Sequence, residues 1–176
     1  MKVSLTDAGK RFNRDWIFRH LNYTFETGKH CVITGPNGSG KSTLLQVING
    51  SLQLNQGAIE WRNTAGAVSR DEVFRVSALC APYLEVVEEM TLVEFLDFHQ
   101  QFKPFISTVT TLAAAEMVGL ETASQKQIRQ FSSGMKQRVK LAQAFFSETP
   151  LLLLDEPCTN LDESGIALYH RLVKDF

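Results

Sequence analysis

Nine consecutive residues, Gly35, Pro36, Asn37, Gly38, Ser39, Gly40, Lys41, Ser42 and Thr43, fit the pattern GxxxxGK[ST] in full. The chemistry this pattern serves is the holding of a polyphosphate. Its glycines let successive backbone N–H groups converge on a β-phosphate, and a helix starting where the loop ends adds its partial positive charge. The Lys41 ammonium then reaches the β and γ oxygens. Ser42 offers a hydroxyl to Mg²⁺, and Thr43 lies toward the α-phosphate. A Gly-rich turn can match the pattern by chance, so its setting between a strand and a helix matters. The run 30–34 (HCVIT) reads as a buried strand, and 41–49 reads as a helix that stops at Gly50.

Two further clusters have chemical meaning. Leu151, Leu152, Leu153 and Leu154 run straight into Asp155 and Glu156. An acidic residue at the end of a strand beside a phosphate loop orients Mg²⁺, here Asp155 through a bound water, while Glu156 is placed to accept a proton from an attacking water. Standing alone, the pair is equally a solvated strand end before a proline turn. In 130–138 (QFSSGMKQR), two serines and a glycine precede a helical stretch. A serine hydroxyl, backbone N–H groups and a helix N-terminus together favour a bound anion, although a serine there also serves as a plain helix cap.

The elements that must position these groups alternate short β-rich runs with amphipathic helices, the pattern of an α/β protein with a largely parallel sheet. Residues 3–5, 23–25, 58–61 and 76–80 read as strands. Thr91 and Glu94 form a capping box for a helix with Leu92, Phe95, Leu96 and His99 on one face. Residues 112–118 form another helix, ended by Gly119. Met135, Val139, Ala142 and Phe146 recur at helical spacing, which turns Lys136 and Lys140 outward. The leucine run 151–154 reads as a central strand buried on both faces. The last stretch places Ile166, Tyr169, Leu172, Val173 and Phe176 on one face and leaves His170 on the helix surface.

Composition sets the outer bounds. The chain has 176 residues, 44% of them hydrophobic and 21% charged, an ordinary globular composition expected to make one domain. A net charge of -1 supplies no basic field for nucleic acid or anionic lipid, so any membrane role acts through a protein partner. No apolar run is long enough to span a bilayer, and the N-terminus lacks the layout of a signal peptide. Three widely spaced cysteines, Cys31, Cys80 and Cys158, point to neither a disulfide framework nor a zinc site and fit a reducing cytoplasm.

With the phosphate loop upstream and the acidic strand downstream, Phe131-Ser132-Ser133-Gly134-Met135 resembles the signature sequence of the ABC ATPases, usually written LSGGQ. The resemblance runs along essentially the whole chain. It implies an α/β P-loop NTPase of ABC ATPase type, with a mostly parallel core sheet, an N-terminal antiparallel β region and a helical region carrying the signature. In that family two nucleotide-binding domains close head to tail around ATP and Mg²⁺, and the signature of one touches the γ-phosphate held by the other. Ser132 and Gly134 are the signature positions kept here, whereas Ser133 and Met135 depart from the pattern. Phe12 matches the aromatic that stacks on adenine, with a core phenylalanine as the alternative. Asp162 matches the acidic residue of the loop that crosses the dimer interface, with a helix N-cap as the alternative.

The glutamine that usually precedes the Thr91 helix by about nine residues is absent, and Pro82 occupies its position. The histidine expected one strand beyond Glu156 is also absent, since His170 comes too early. Residues 1–176 are therefore expected to be a single nucleotide-binding domain lacking its last strands and its histidine loop, a fragment of a longer chain. The resemblance implies an ATPase subunit of a transporter with a transmembrane permease partner and a second nucleotide-binding domain, placed on the cytoplasmic face of the membrane, with no nucleic acid partner. The short span from loop to signature is similar to multidrug or ABC-2 exporters and to the haem exporter of cytochrome c maturation. A soluble ABC ATPase acting on ribosomes or DNA is the alternative, although neither long coiled-coil insertions nor tandem cassettes are present. A P-loop kinase or GTPase is a third class, without the guanine-reading NKxD motif.

Overall fold

The computed structural model describes all 176 residues, in two compact units, Met1–Ser77 and Ala78–Phe176. The first unit is built on an antiparallel sheet with one main helix. Its strands are β1 (Lys2–Phe12), β2 (Asp15–Phe25), β3 (Gln56–Asn63) and β4 (Gly66–Val68), in the spatial order β2-β1-β3-β4. The β1–β2 hairpin turns on Asn13 and Arg14, pairs Phe12 with Asp15, and uses a positive φ of 52° at Asn13. The strands expected at 3–5, 23–25 and 58–61 are all present as the inner parts of longer ones.

Between Leu5 and Ala8 the register of β1 slips. Asp7 takes a φ of 48°, and Gly57 on β3 a φ of 74°, where a Cβ would lie 2.3 Å from the Thr6 and Asp7 carbonyls. Such bulges re-aim side chains, and this one has that effect: Val3 and Leu5 are buried before it, and Ala8, Gly9 and Lys10 after it. Leu5, Ala8 and Val47 form the local core, with Phe18, Leu21, Phe25, Leu44 and Ile59 packed around them. Val47 belongs to α1 (Lys41–Ile48), which ends at Gly50 as its φ of 77° requires. The buried Trp61 indole donates to the Ile48 carbonyl at 2.7 Å and fixes the helix end.

The second unit is mostly helical, with β5 (Ser77–Cys80) and β6 (Leu151–Leu154) as a two-stranded parallel sheet. Val76, expected to begin β5, instead ends the short α2 (Val73–Val76). The remaining helices are α3 (Leu92–Gln100), α4 (Thr111–Met117), α5 (Ser133–Phe146) and α6 (Glu163–Asp175), and each starts at a side-chain cap, respectively Thr91, Thr110, Ser132 and Asp162. At α3 both halves of the capping box form, with Thr91 N–H donating to Glu94 at 2.8 Å and Glu94 N–H to Thr91 Oγ1 at 3.2 Å. One continuous core joins Leu92, Leu96, Ile128, Val139, Phe146 and Leu172.

Three expectations need correction. Residues 30–34 lie outside any strand, and Val32 is 83% exposed. A short apolar run becomes a strand only when a neighbour completes its ladder, and this segment has none. The strand β6 is not buried on both faces: it pairs with β5 alone, and Leu152 is 37% exposed. On α6 the buried stripe is Gly165, Leu168 and Leu172, so Ile166 and Val173 lie off it, while Phe176 packs edge-on to Phe146 at 5.2 Å.

His99 on α3 is buried, and its Nε2 lies 2.8 Å from Ser147 Oγ. That hydroxyl gives its own proton to the Gln143 carbonyl at 2.6 Å, so the imidazole is the donor to it. Burial lowers the His99 pKa to about 4, with Lys103 adding to the shift. The neutral form is therefore the folded form, and its stability is whole above pH 6.5 and lost as the pH falls toward 4. Between about pH 7 and about pH 5 the chain should lose on the order of 2 kcal/mol through this residue. Urea unfolding at the two pH values measures it, and His99→Gln should flatten the difference.

Candidate functional site

The phosphate loop belongs to the first unit. Gly35 has a φ of 155°, Gly38 of 78° and Gly40 of 91°, all in the region that favours glycine. Gly40 is the N-cap of α1, and a Cβ there would lie 2.3 Å from Ile17 Cγ2, so the position admits glycine on conformation and on space. A turn closed by Ser39 N–H on the Pro36 carbonyl, at 3.2 Å, shapes the loop. The first intrahelical bond is Leu44 N–H to the Gly40 carbonyl, which leaves the N–H groups of Lys41, Ser42 and Thr43 at the open end of the helix. No side chain caps them, and no acidic residue lies in the first turn.

Lys41 folds back over this loop. Its Nζ donates to the Gly35 and Pro36 carbonyls, each at 2.9 Å. Three unpartnered N–H groups, a helix N-terminus and an ammonium held beside them make a cradle for an anion with several oxygens. Ser42 and Thr43, half-buried, carry their hydroxyls in the same turn. Phe12, at the end of the β1–β2 hairpin, is 48% exposed, so it is not a core residue.

The acidic and signature residues belong to the second unit, where α5 and the turn after β6 are tied together. Asp155 is buried to 5% exposure and donates its N–H to the Cys80 carbonyl at 2.8 Å, which extends the β5–β6 pairing by one residue. Glu156 follows in the left-handed conformation, φ 44°, with its side chain exposed and the Thr159 hydroxyl 3.4 Å from Oε2. The backbone reversal thus separates two adjacent carboxylates, one inward and one outward.

Ser132 is the N-cap of α5, and its Oγ accepts from Met135 N–H at 3.2 Å. Gly134 lies so close to the loop after β6 that a Cβ would come within 2.9 Å of the Asn160 carbonyl. Gln137, 2% exposed, donates to the Pro157 carbonyl at 2.8 Å, and Arg138 pairs with Asp162 at 3.1 Å. Asp162 is the N-cap of α6; the Gly165 N–H, then Ser164 and Arg138, hold its carboxyl below the usual range. On the far side, Lys140 Nζ donates to the Pro82 carbonyl at 3.0 Å, and Lys136 pairs with Glu88 at 2.6 Å. The outward lysines of the sequence reading are therefore fastened to neighbouring loops. Gln137 was not foreseen; a glutamine beside an apolar stripe gives no signal of burial until the Pro157 turn is known.

No group of three or more His, Cys, Asp or Glu residues gathers for a metal. A cation held by one hydroxyl and one carboxylate, with phosphate oxygens and water completing its shell, needs no such group, and the Ser42 hydroxyl and the Asp155 carboxylate are each oxygen donors of that kind. The thiols offer no reactive alternative in the core, since burial pushes Cys80 up to about 11 and raises Cys158. A cavity of about 410 Å³ among Ile106, Phe145, Leu152 and Phe176 contains none of the site residues.

Residues 18–159 match the family described as ABC transporter. The cytochrome c biogenesis ATP-binding export protein CcmA of Aliivibrio fischeri is 32% identical over 90% of this chain and 78% of its own length. The lantibiotic transport ATP-binding protein SrtF of Streptococcus pyogenes is 29% identical over 99% of this chain and 74% of its own. Among solved structures, a dimeric ATP-binding cassette in a post-hydrolysis state bound to ADP and Pi superimposes with a TM-score of 0.81. It is 22% identical, over 98% of this chain and 81% of that one.

Two substitutions probe this geometry. Lys41→Ala should weaken ATP binding at least about tenfold, the loss of a charge-assisted contact, as read by titration calorimetry. Gly134→Ala should cost about 1–3 kcal/mol of stability by forcing the Asn160 loop away from α5, visible as a lowered thermal midpoint.

Proposed function

The chain belongs to the ABC transporter family, as an ATP-binding domain with ATPase activity, and from that premise we propose the role of each site residue. Gly35 to Thr43 hold the triphosphate of ATP, with Lys41 leaving its two loop carbonyls for the β and γ oxygens. Phe12 stacks on adenine. Ser42 and Asp155 are the residues that would hold Mg²⁺, which when bound would supply positive charge to the phosphates. Glu156 takes the proton of the attacking water. Its exposed carboxylate is turned away from buried Asp155, so the two divide metal binding and proton transfer between them. The observation that carries the reading is the loop: three free N–H groups and Lys41 arranged at the start of α1.

Family members work as ATP-binding subunits that dimerise and pair with transmembrane components. For this chain the partners are a transmembrane permease and a second nucleotide-binding domain, closed head to tail, with Ser132 and Gly134 directed at the ATP of the opposite domain. No helix here is long and apolar enough to cross a membrane. The chain acts from the cytoplasmic face through the permease, as an exporter component; the name of the CcmA relative, an export protein, supports the direction. The two compact units are parts of one nucleotide-binding domain, and the chain spans 78% of the length of the CcmA relative.

Glu156→Gln in the native assembly should slow phosphate release by roughly 10²–10⁴-fold while ATP binding persists, and an ATP-bound dimer should accumulate. Phosphate release and sedimentation of the variant measure both. Unchanged turnover would remove Glu156 from its role as base.

A further inference from the structure

One buried cation in the first unit serves no part of the phosphate loop. Lys10, on β1 just after the bulge, is only 8% exposed, and its Nζ donates to the Gln53 carbonyl at 2.8 Å. The same ammonium sits 5.1 Å from the centroid of the Phe12 ring, while the ring itself remains half exposed. The end of β1 is held from below by the loop that follows α1: Asn55 N–H donates to the Gly9 carbonyl at 2.8 Å, and Arg11 N–H to Asn55 Oδ1 at 3.0 Å. That loop is tied back in turn to α1, since Leu52 N–H and Ser51 Oγ both donate to the Gln46 carbonyl at 3.1 Å. The nearby Trp16 has no such free ring, because Arg19 and Arg11 sit against it at 4.3 and 5.5 Å.

We propose that Lys10 is a positioning residue for the purine of the nucleotide: it fixes the Phe12 ring by a cation–π contact and, through Gln53, ties the ring to the helix that carries the phosphate loop. This rests on the reading of Phe12 as the adenine platform. A cation against a ring draws π density toward itself and leaves the ring a better partner for an electron-rich base, and it also restricts the ring before the base arrives. Both effects act on the base and neither acts on the phosphates.

The test compares ATP with inorganic tripolyphosphate as ligands for the full chain, by calorimetry. Lys10→Gln retains a donor for Gln53 but loses the charge, and should weaken ATP about three- to tenfold with tripolyphosphate unchanged. Lys10→Arg, which keeps a cation, should bind ATP within about twofold of the parent. Equal weakening of both ligands by Lys10→Gln, or no weakening of either, overturns the proposal. If Lys10→Gln does not fold, Lys10→Arg and Phe12→Leu are read alone. A Lys10→Arg protein whose ATP affinity falls as far as that of Phe12→Leu, with tripolyphosphate affinity kept, then overturns it. Phe12→Ala separates the two ideas: ATP affinity unchanged in that variant removes the platform itself, whereas weakened ATP there with an unaffected Lys10→Gln removes only the role of Lys10.

Discussion

A helix that begins without a cap governs the first unit. The principal helices of the second unit each spend a side chain on their own N-terminus: Thr91, Thr110, Ser132 and Asp162 all accept from a backbone N–H. At α1 the capping position is Gly40, which has no side chain to offer, and three N–H groups are left for a ligand. A glycine in place of a capping side chain weakens a helix by about a few tenths of a kcal/mol. The opposite end offsets this, where Gly50 closes the last turn, Trp61 holds the Ile48 carbonyl and Arg70 donates to the Gly50 carbonyl at 2.8 Å. The loop is kept receptive at one end of α1 by rigidity at the other.

The second unit solves a different problem, which is to hold a turn and a helix start in fixed relation. Gln137 and Arg138, side by side on α5, reach in different directions, one to the Pro157 carbonyl and the other to Asp162. Gly134, a turn earlier, permits the Asn160 carbonyl to approach. The residues that carry the signature and those that follow the acidic pair therefore behave as one piece of structure. Lys140 extends that piece to Pro82, at the position where the family's glutamine is missing, so the loop there is fastened by its backbone carbonyl.

Features that depend on a few neighbouring residues were legible in the sequence. The capping box at Thr91 and the helix stops at Gly50 and Gly119 rest on local geometry and came out as read. Features that depend on a distant partner were not. Whether 30–34 forms a strand, and whether β6 is covered on both faces, is decided by which strands pair beside them, and no periodicity contains that information. The α6 stripe was displaced for a related reason: several apolar residues share the helix surface, and the neighbour chooses among them. Of the candidate site residues, Gly40 and Lys41 follow from type and spacing and Phe12 and Ser132 from the resemblance, while Gln137 and Lys10 emerged only from contacts.

Lys10 escaped notice because of the slip at Asp7, which breaks the alternation of β1 and turns inward a residue that strict period two would have sent to water. That slip has a consequence for how such a strand can change over time. Replacing a side chain on either side of Asp7 alters one contact, but inserting or deleting a single residue between Leu5 and Lys10 would exchange the inner and outer faces of everything up to the hairpin. The stretch should accordingly accept substitutions far more readily than changes of length, and relatives that differ in length should do so in the hairpin turn rather than within the strand.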